Sequence, residues 1–331
     1  MCFFLFDIEL IMKTLQISLY LCTVAVKQLM IYIGLSQFEM AKFYLSQLDK
    51  RASVNKDEFK YLKRIVKQCR YIGLTIHTIF VVSFVPYSVS NIVKKQLFFE
   101  GWLSSKSELS NMQFALAFSI QFFPILFQII QNTANDAFSP VSINLLNGQI
   151  RVLGMRVARI GQDISKSADE NYAELKACIN DHRNIISLFD IIKPTVSRTV
   201  LVQLIITGAL LCMTVFYYIS FNHGSVSRLV ATIFDMISIL IVSLPICYFG
   251  NSLMEETEQL TTAIYNCNWT DQTLKFQKSL IIFMQRSQRE NILTAGGLLT
   301  INLQTFIAII RFSFSMFTVV SQMSEGIVST N

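Results

Sequence analysis

Two uninterrupted apolar runs constrain this chain before anything else. Tyr71 to Val93 and Met112 to Ala134 each contain no Asp, Glu, Lys or Arg. Both can cross a bilayer, which takes about 20 mostly apolar residues at about 1.5 Å rise each. In lipid no water pairs with a backbone group, so a spanning segment is either a helix or part of a closed barrel. Barrel strands alternate apolar and polar side chains, and these runs do not. The predicted fold class is all-α, a polytopic transmembrane helical bundle.

Four more segments bring the expected spans to six. Ile8 to Ile33 is the weakest, interrupted by Lys13 and Lys27; Thr199 to Phe221 is apolar; Leu229 to Asn251 holds one acid, Asp235. The last, Leu293 to Met323, has Arg311 as its only charged side chain. Its Ala295-Gly296-Gly297 triplet predicts a broken helix whose second half, after Asn302, spans the membrane with Ser313, Ser315, Ser321 and Gln322 making one side polar. Only 15% of the residues are charged, against about 25% in a soluble domain.

The polar stretches between spans also carry helical periodicity. Leu45 and Leu48, then Phe59, Leu62 and Ile65, predict helical extensions in water joined near Ala52 to Asn55. Ile150, Leu153, Val157 and Ile160 form a stripe with Arg151, Arg156 and Arg159 opposite. Two readings fit it equally: the third span continuing into water, or a surface helix with snorkelling arginines. Leu253 to Ile264 and Leu274 to Met284 carry apolar faces wider than a free surface helix needs. The chain thus divides into a transmembrane bundle with its loops (1–251), two amphipathic helices (252–291) and a last span with a short tail (292–331).

Most of the 28 Lys and Arg fall in the stretches 34–70, 140–198 and 252–291, whereas the alternate loops hold only Lys94, Lys95, Lys106 and Arg228. Basic loops stay cytoplasmic, which puts the C-terminus outside. Six spans put both ends on one side, so a seventh is expected upstream of Met1. The sequon Asn268-Trp269-Thr270 falls on the cytoplasmic side and is expected to carry no glycan.

Catalysis finds no support. The seven cysteines are scattered without a C-x-x-C pair, His77, His182 and His223 lie far apart, and no G-x-S-x-G or phosphate-loop pattern occurs. No cofactor or metal is expected. The basic residues are spread over loops rather than clustered on a soluble face, so nucleic acid is not an expected partner.

From Pro245 onward, the CYFG run with its acidic helix, the Tyr265 to Trp269 turn, the LIIFMQRSQR helix, the LTAGG break and the INLQTF start of the last span together resemble the C-terminal third of insect odorant receptors. The rest of the chain is similar in span layout. The resemblance implies a seven-span protein with a cytoplasmic N-terminus. It also implies a subunit of a tetrameric ligand-gated cation channel, in which an odorant-binding subunit assembles with a shared co-receptor. The cytoplasmic helices would then form the anchor where subunits pack, with peripheral membrane helices as the alternative. Related gustatory receptors carry a T-Y-(five residues)-Q-F pattern that is absent around Thr305 and Phe306. The co-receptor has a longer loop than Pro140 to Arg198, so a tuning subunit fits best; a gustatory-type subunit and a truncated, non-conducting remnant are the alternatives.

Small volatile ligands call for a mostly apolar pocket with few polar groups. In the family they bind among the outer halves of the spans, which here offer Tyr20, Ser83, Tyr87, Phe118, Phe122, Phe234 and Ile237 as candidates. Ordinary helix packing or contact with membrane lipid is the alternative for each. Asp235 reads either as a ligand or ion-path group or as an acid near the headgroups. Matching along INLQTF places Val319 and Met323 at an outer hydrophobic gate, Phe312 and Ser315 further inward on that face, and Gln322 beside it. Arg311 either tunes permeation or pairs with a neighbouring helix.

Overall fold

A computed structural model describes residues 2–98, 110–221, 226–289 and 291–329; within these, the side chains of 2–14, 17, 219–221, 227–228, 320–321 and 323–329 lie outside the description. Eight helices and one small hairpin make up the described chain. They are α1 (Cys2–Ile33), α2 (Leu35–Ala52), α3 (Lys56–Val93), α4 (Asn111–Ala158), α5 (Ala168–Phe221), α6 (Val226–Tyr265), α7 (Leu274–Ser287), β1 (Thr294–Ala295), β2 (Leu299–Thr300) and α8 (Leu303–Ser329).

By length and composition α3, α4, α5 and α6 can each cross a membrane, and the pair Ser18–Ile33 and Leu35–Ala52, bent by 60°, is a fifth candidate. Leu303–Val319 is a shorter apolar helix. Of the six expected segments the last is thus shorter, and the first qualifies only together with Leu35–Ala52, which was expected as an extension in water; the other four are long and apolar enough on their own. Helices this long cannot end at the membrane surface: α4, with 48 residues, runs roughly 72 Å at helical rise, well beyond a hydrocarbon core of about 30 Å. Of the two readings for Ile150 to Ile160, the continuous one is therefore correct. The bend near Gly34 is close-packed, since a methyl group there would approach Thr195 Oγ1 to 2.5 Å. The junction expected at Ala52 to Asn55 is a cap: Asn55 Oδ1 accepts from the backbone N–H of Asp57 at 2.9 Å.

The main hydrophobic core lies mostly beyond the apolar spans, at the end where the basic stretches gather, and reaches into two of them at Val200, Leu204, Ile246 and Cys247. Leu146, Leu153 and Val157 of α4, Leu175, Ile185 and Val196 of α5, Leu253, Leu260 and Ile264 of α6, Phe276, Leu280 and Phe283 of α7, and Ala295 and Ile301 of the hairpin region are all buried in it. Water supplies the drive to bury apolar surface there; where helices face lipid tails, apolar side chains need not turn inward. Arg156 departs from the expected exposed face. It is buried between Glu58, at 2.6 Å, and Asp181, which also receives Arg51 at 2.5 Å. His182, buried against the ring of Phe283 at 5.2 Å, is held down at about 4 by that burial and by the neighbouring Arg286.

The broken helix expected before the last span is instead a hairpin. Ala295 pairs with Leu299, Thr294 pairs with Thr300, and Gly296 and Gly297 take φ of +60° and +74°, a left-handed conformation that glycine adopts without steric cost. Gly296 N donates to both the carbonyl and Oγ of Ser197 at 3.0 Å. The hairpin is thereby tied to α5, just where α8 sets out.

Candidate functional site

Aromatic spacing brings α3 and α4 together at the end away from the basic core. Phe80, Phe84 and Tyr87 recur at three- and four-residue intervals on α3, as Phe114, Phe118 and Phe122 do on α4, so each set lines one helical face. Phe84 meets Phe122 at 5.4 Å between ring centroids, and Phe118 lies 5.9 Å from both Phe114 and Phe122. The chain beyond α3 closes the cluster. Lys95 adopts a left-handed φ of 49° and Gln96 N donates to the Asn91 carbonyl at 2.9 Å, an arrangement that ends helices by turning the chain back. Leu97 and Phe98 return into the cluster, where Phe98 stacks on Phe84 at 5.8 Å and meets Phe118 at 5.0 Å and Tyr87 at 5.7 Å.

Phe118 and Phe122 thus lie inside the cluster and Tyr87 at its half-exposed edge. Ser83 and Ser88 spend their hydroxyls on their own helix, donating at 2.8 Å to the carbonyls of Ile79 and Phe84. Tyr20 reaches the cluster through the ring of Phe80 at 6.4 Å. Phe234 is half-buried and Ile237 exposed on α6; neither joins this cluster. Sequence reasoning missed Phe80, Phe84 and Phe114, which the four-residue aromatic spacing could have revealed. It also missed Phe98, whose position depends on a turn that no periodicity predicts.

A buried polar chain runs beside the cluster. Asn132 donates to the Tyr20 hydroxyl at 2.5 Å and to Asp136 at 3.0 Å; Asp136 pairs with Lys27 at 2.5 Å. Lys27 also donates to Gln203, which donates to Ser243 at 3.5 Å, and Ser243 shares a hydrogen bond with Thr207 at 2.6 Å. The side chains of Lys27 and Asp136 are 5% and 4% exposed. Four helices, α1, α4, α5 and α6, are linked by these groups.

One residue beyond Thr207, the carbonyl of Gly208 accepts from Ser313 Oγ at 3.2 Å, fastening α8 to α5. Ser313 is buried, so the expected single polar side is corrected: Ser313 and Ser315, two residues apart, point about 200° apart on a helix. On the face turned away from the bundle, Phe312 is 62% and Val319 48% exposed, with Arg311, Ser315 and Gln322 exposed as well. The side chain of Met323 lies outside the described residues. At the other end α7 buries Phe276, Leu280 and Phe283 but leaves Leu274, Ile281 and Ile282 uncovered.

A family model described as 7tm Odorant receptor matches residues 7–314. Odorant receptor 2a of Drosophila melanogaster is 29% identical over 303 residues, covering 87% of this chain and 76% of that protein. Odorant receptor 59b of the same organism is 26% identical over 320 residues, covering 95% and 78%. Among solved structures, the insect olfactory receptor OR5 from Machilis hrabei in complex with eugenol is similar with a TM-score of 0.76 at 14% identity, covering 96% of this chain and 82% of that one. That likeness is one of fold.

Proposed function

The chain belongs to the odorant receptor family, and from that premise we propose that it is the odorant-tuning subunit of a ligand-gated, non-selective cation channel. It assembles with a shared co-receptor in the plasma membrane of olfactory neurons, C-terminus outside. The family match over residues 7–314 carries this reading. Volatile ligands would bind at the aromatic cluster of Phe84, Tyr87, Phe98, Phe118 and Phe122, whose apolar rings and few free polar atoms suit such molecules. Tyr20 borders that site. Phe234 and Ile237 stand apart from it on α6 and are proposed as contacts with ligand in a more open form.

The outward face of α8 would line the pore, with Phe312, Ser315, Val319, Gln322 and Met323 on it. An apolar ring at Val319 and Met323 blocks ions by dewetting until the helices splay. A ligand opens the channel only to the extent that it binds the open form better. The uncovered face of α7 at Leu274, Ile281 and Ile282 supports the anchor role, because monomeric proteins rarely leave such a patch bare.

The test is co-expression with the co-receptor and recording of odorant-evoked cation current. Current is expected only when both are present, and Val319→Ala with Met323→Ala should raise basal current or change ion selectivity. A G-protein-dependent signal alone, or odorant current without the co-receptor, would overturn the reading.

A further inference from the structure

Among the described residues, four buried side-chain polar atoms have no hydrogen-bond partner: Asn91 Nδ2, Asn147 Oδ1, Glu256 Oε2 and Gln272 Oε1. Asn147, Glu256 and Gln272 belong to the basic end, and Glu256 Oε2 has Arg151 Nη1 at 3.6 Å. Asn91 is different. It is 6% exposed on α3 and shares a helical face with Phe84, seven residues earlier, and Tyr87, four residues earlier. Its backbone carbonyl receives Gln96 N, the bond that returns Phe98 to the rings.

Buried amide groups are nearly always paired, and one left unpaired calls for an explanation. Here helix packing alone would be better served by a leucine of similar shape, because burying a polar group without a partner is unfavourable. Ser88, three residues earlier, donates its hydroxyl to the Phe84 carbonyl, and the Asn91 Nδ2 group is left without a partner. The side of the cluster nearest Asn91 is also where the Tyr87 ring, 49% exposed, leaves aromatic surface open.

We propose that the Asn91 side-chain amide is the polar anchor of the ligand site, donating to the carbonyl oxygen of a small, otherwise apolar ketone, aldehyde or ester. The body of the ligand lies against Tyr87, Phe84 and Phe98. The inference rests on the odorant-tuning reading above and names the chemical class of its ligand. A donor of this kind separates carbonyl compounds from hydrocarbons of the same shape, because only the carbonyl satisfies the amide.

Matched volatile pairs that replace C=O by C=CH2 test this directly: acetophenone with α-methylstyrene, and cyclohexanone with methylenecyclohexane, applied to the chain co-expressed with the co-receptor. The carbonyl member of a pair should evoke current at about tenfold lower concentration than its partner, the range of one net hydrogen bond. Asn91→Leu should bring the two together by losing carbonyl sensitivity while keeping the hydrocarbon response, which also shows that the channel still assembles and gates. If the leucine variant fails to reach the surface, Asn91→Ala removes the same donor without crowding the helix interface. Equal sensitivity to both members in the unsubstituted chain, or a carbonyl preference that survives loss of the amide, would overturn the inference and leave the tuning role standing. Absence of current to any volatile, with both subunits at the surface, would instead overturn the tuning role and the inference with it.

Discussion

Replacing Lys27 by methionine should damage this protein more than any change of similar size on the lipid-facing surface. At 2.5 Å and an effective dielectric of 20, the attraction between Lys27 and Asp136 is about 7 kcal/mol. Withdrawing each ion from water costs several kcal/mol, so the intact pair stands close to neutral. The single substitutions do not. Lys27→Met strands Asp136 with only the Asn132 amide beside it, and Asp136→Leu strands Lys27 with only Gln203; breaking a buried pair this way costs about 3–5 kcal/mol. The double substitution Lys27→Met with Asp136→Leu removes both charges and should come within a few kcal/mol of the parent, on either side. Surface expression and thermal denaturation of detergent-solubilised protein read the whole cycle. If the two single variants prove as stable as the parent, or if the double variant is as damaged as the sum of the two, the pair is not a buried, mutually dependent unit.

His182 should make stability fall with acid. Its folded value of about 4 lies below the ordinary 6.5, so below about pH 6.5 the unfolded chain takes up a proton that the folded chain refuses. Stability should fall through that window by roughly 3 kcal/mol in all; His182→Phe should flatten the slope between pH 7 and pH 5 in thermal denaturation. Gly250→Ala should destabilise the basic end, because a methyl group there would overlap the carbonyl oxygen of Ile301, with a loss of about 1–3 kcal/mol; a melting temperature equal to the parent's would contradict that packing. Ile281→Glu with Ile282→Glu, on the uncovered face of α7, should leave the chain folded but prevent its co-purification with the co-receptor. Retained co-purification would count against α7 as the assembly surface.

Much of the bundle was legible because its signals are local. Charge-free runs such as Tyr71 to Val93 and Met112 to Ala134 each report on one helix, and the periodic stripes between them report on its extensions. The resemblance drawn from the stretch after Pro245 is borne out by a family match that spans residues 7–314. The hairpin at Thr294 to Thr300 was misread as a helix break, since a glycine pair interrupts a helix whatever follows it. Here Ser197 decides by accepting the Gly296 N–H.

The sequence by itself determined which segments are helical and which ends are basic, because backbone pairing in lipid leaves each apolar run one solution; how far α4 runs past its apolar part was decided only by the structure. Only the tertiary structure decided what the polar exceptions do. Lys27 looked like a flaw in the weakest span until Asp136, 109 residues away, proved to be its partner. Ser313 looked like one side of a polar stripe until the Gly208 carbonyl claimed it. Periodicity predicts the direction in which a side chain points, while its partner is set by how separate helices meet in space.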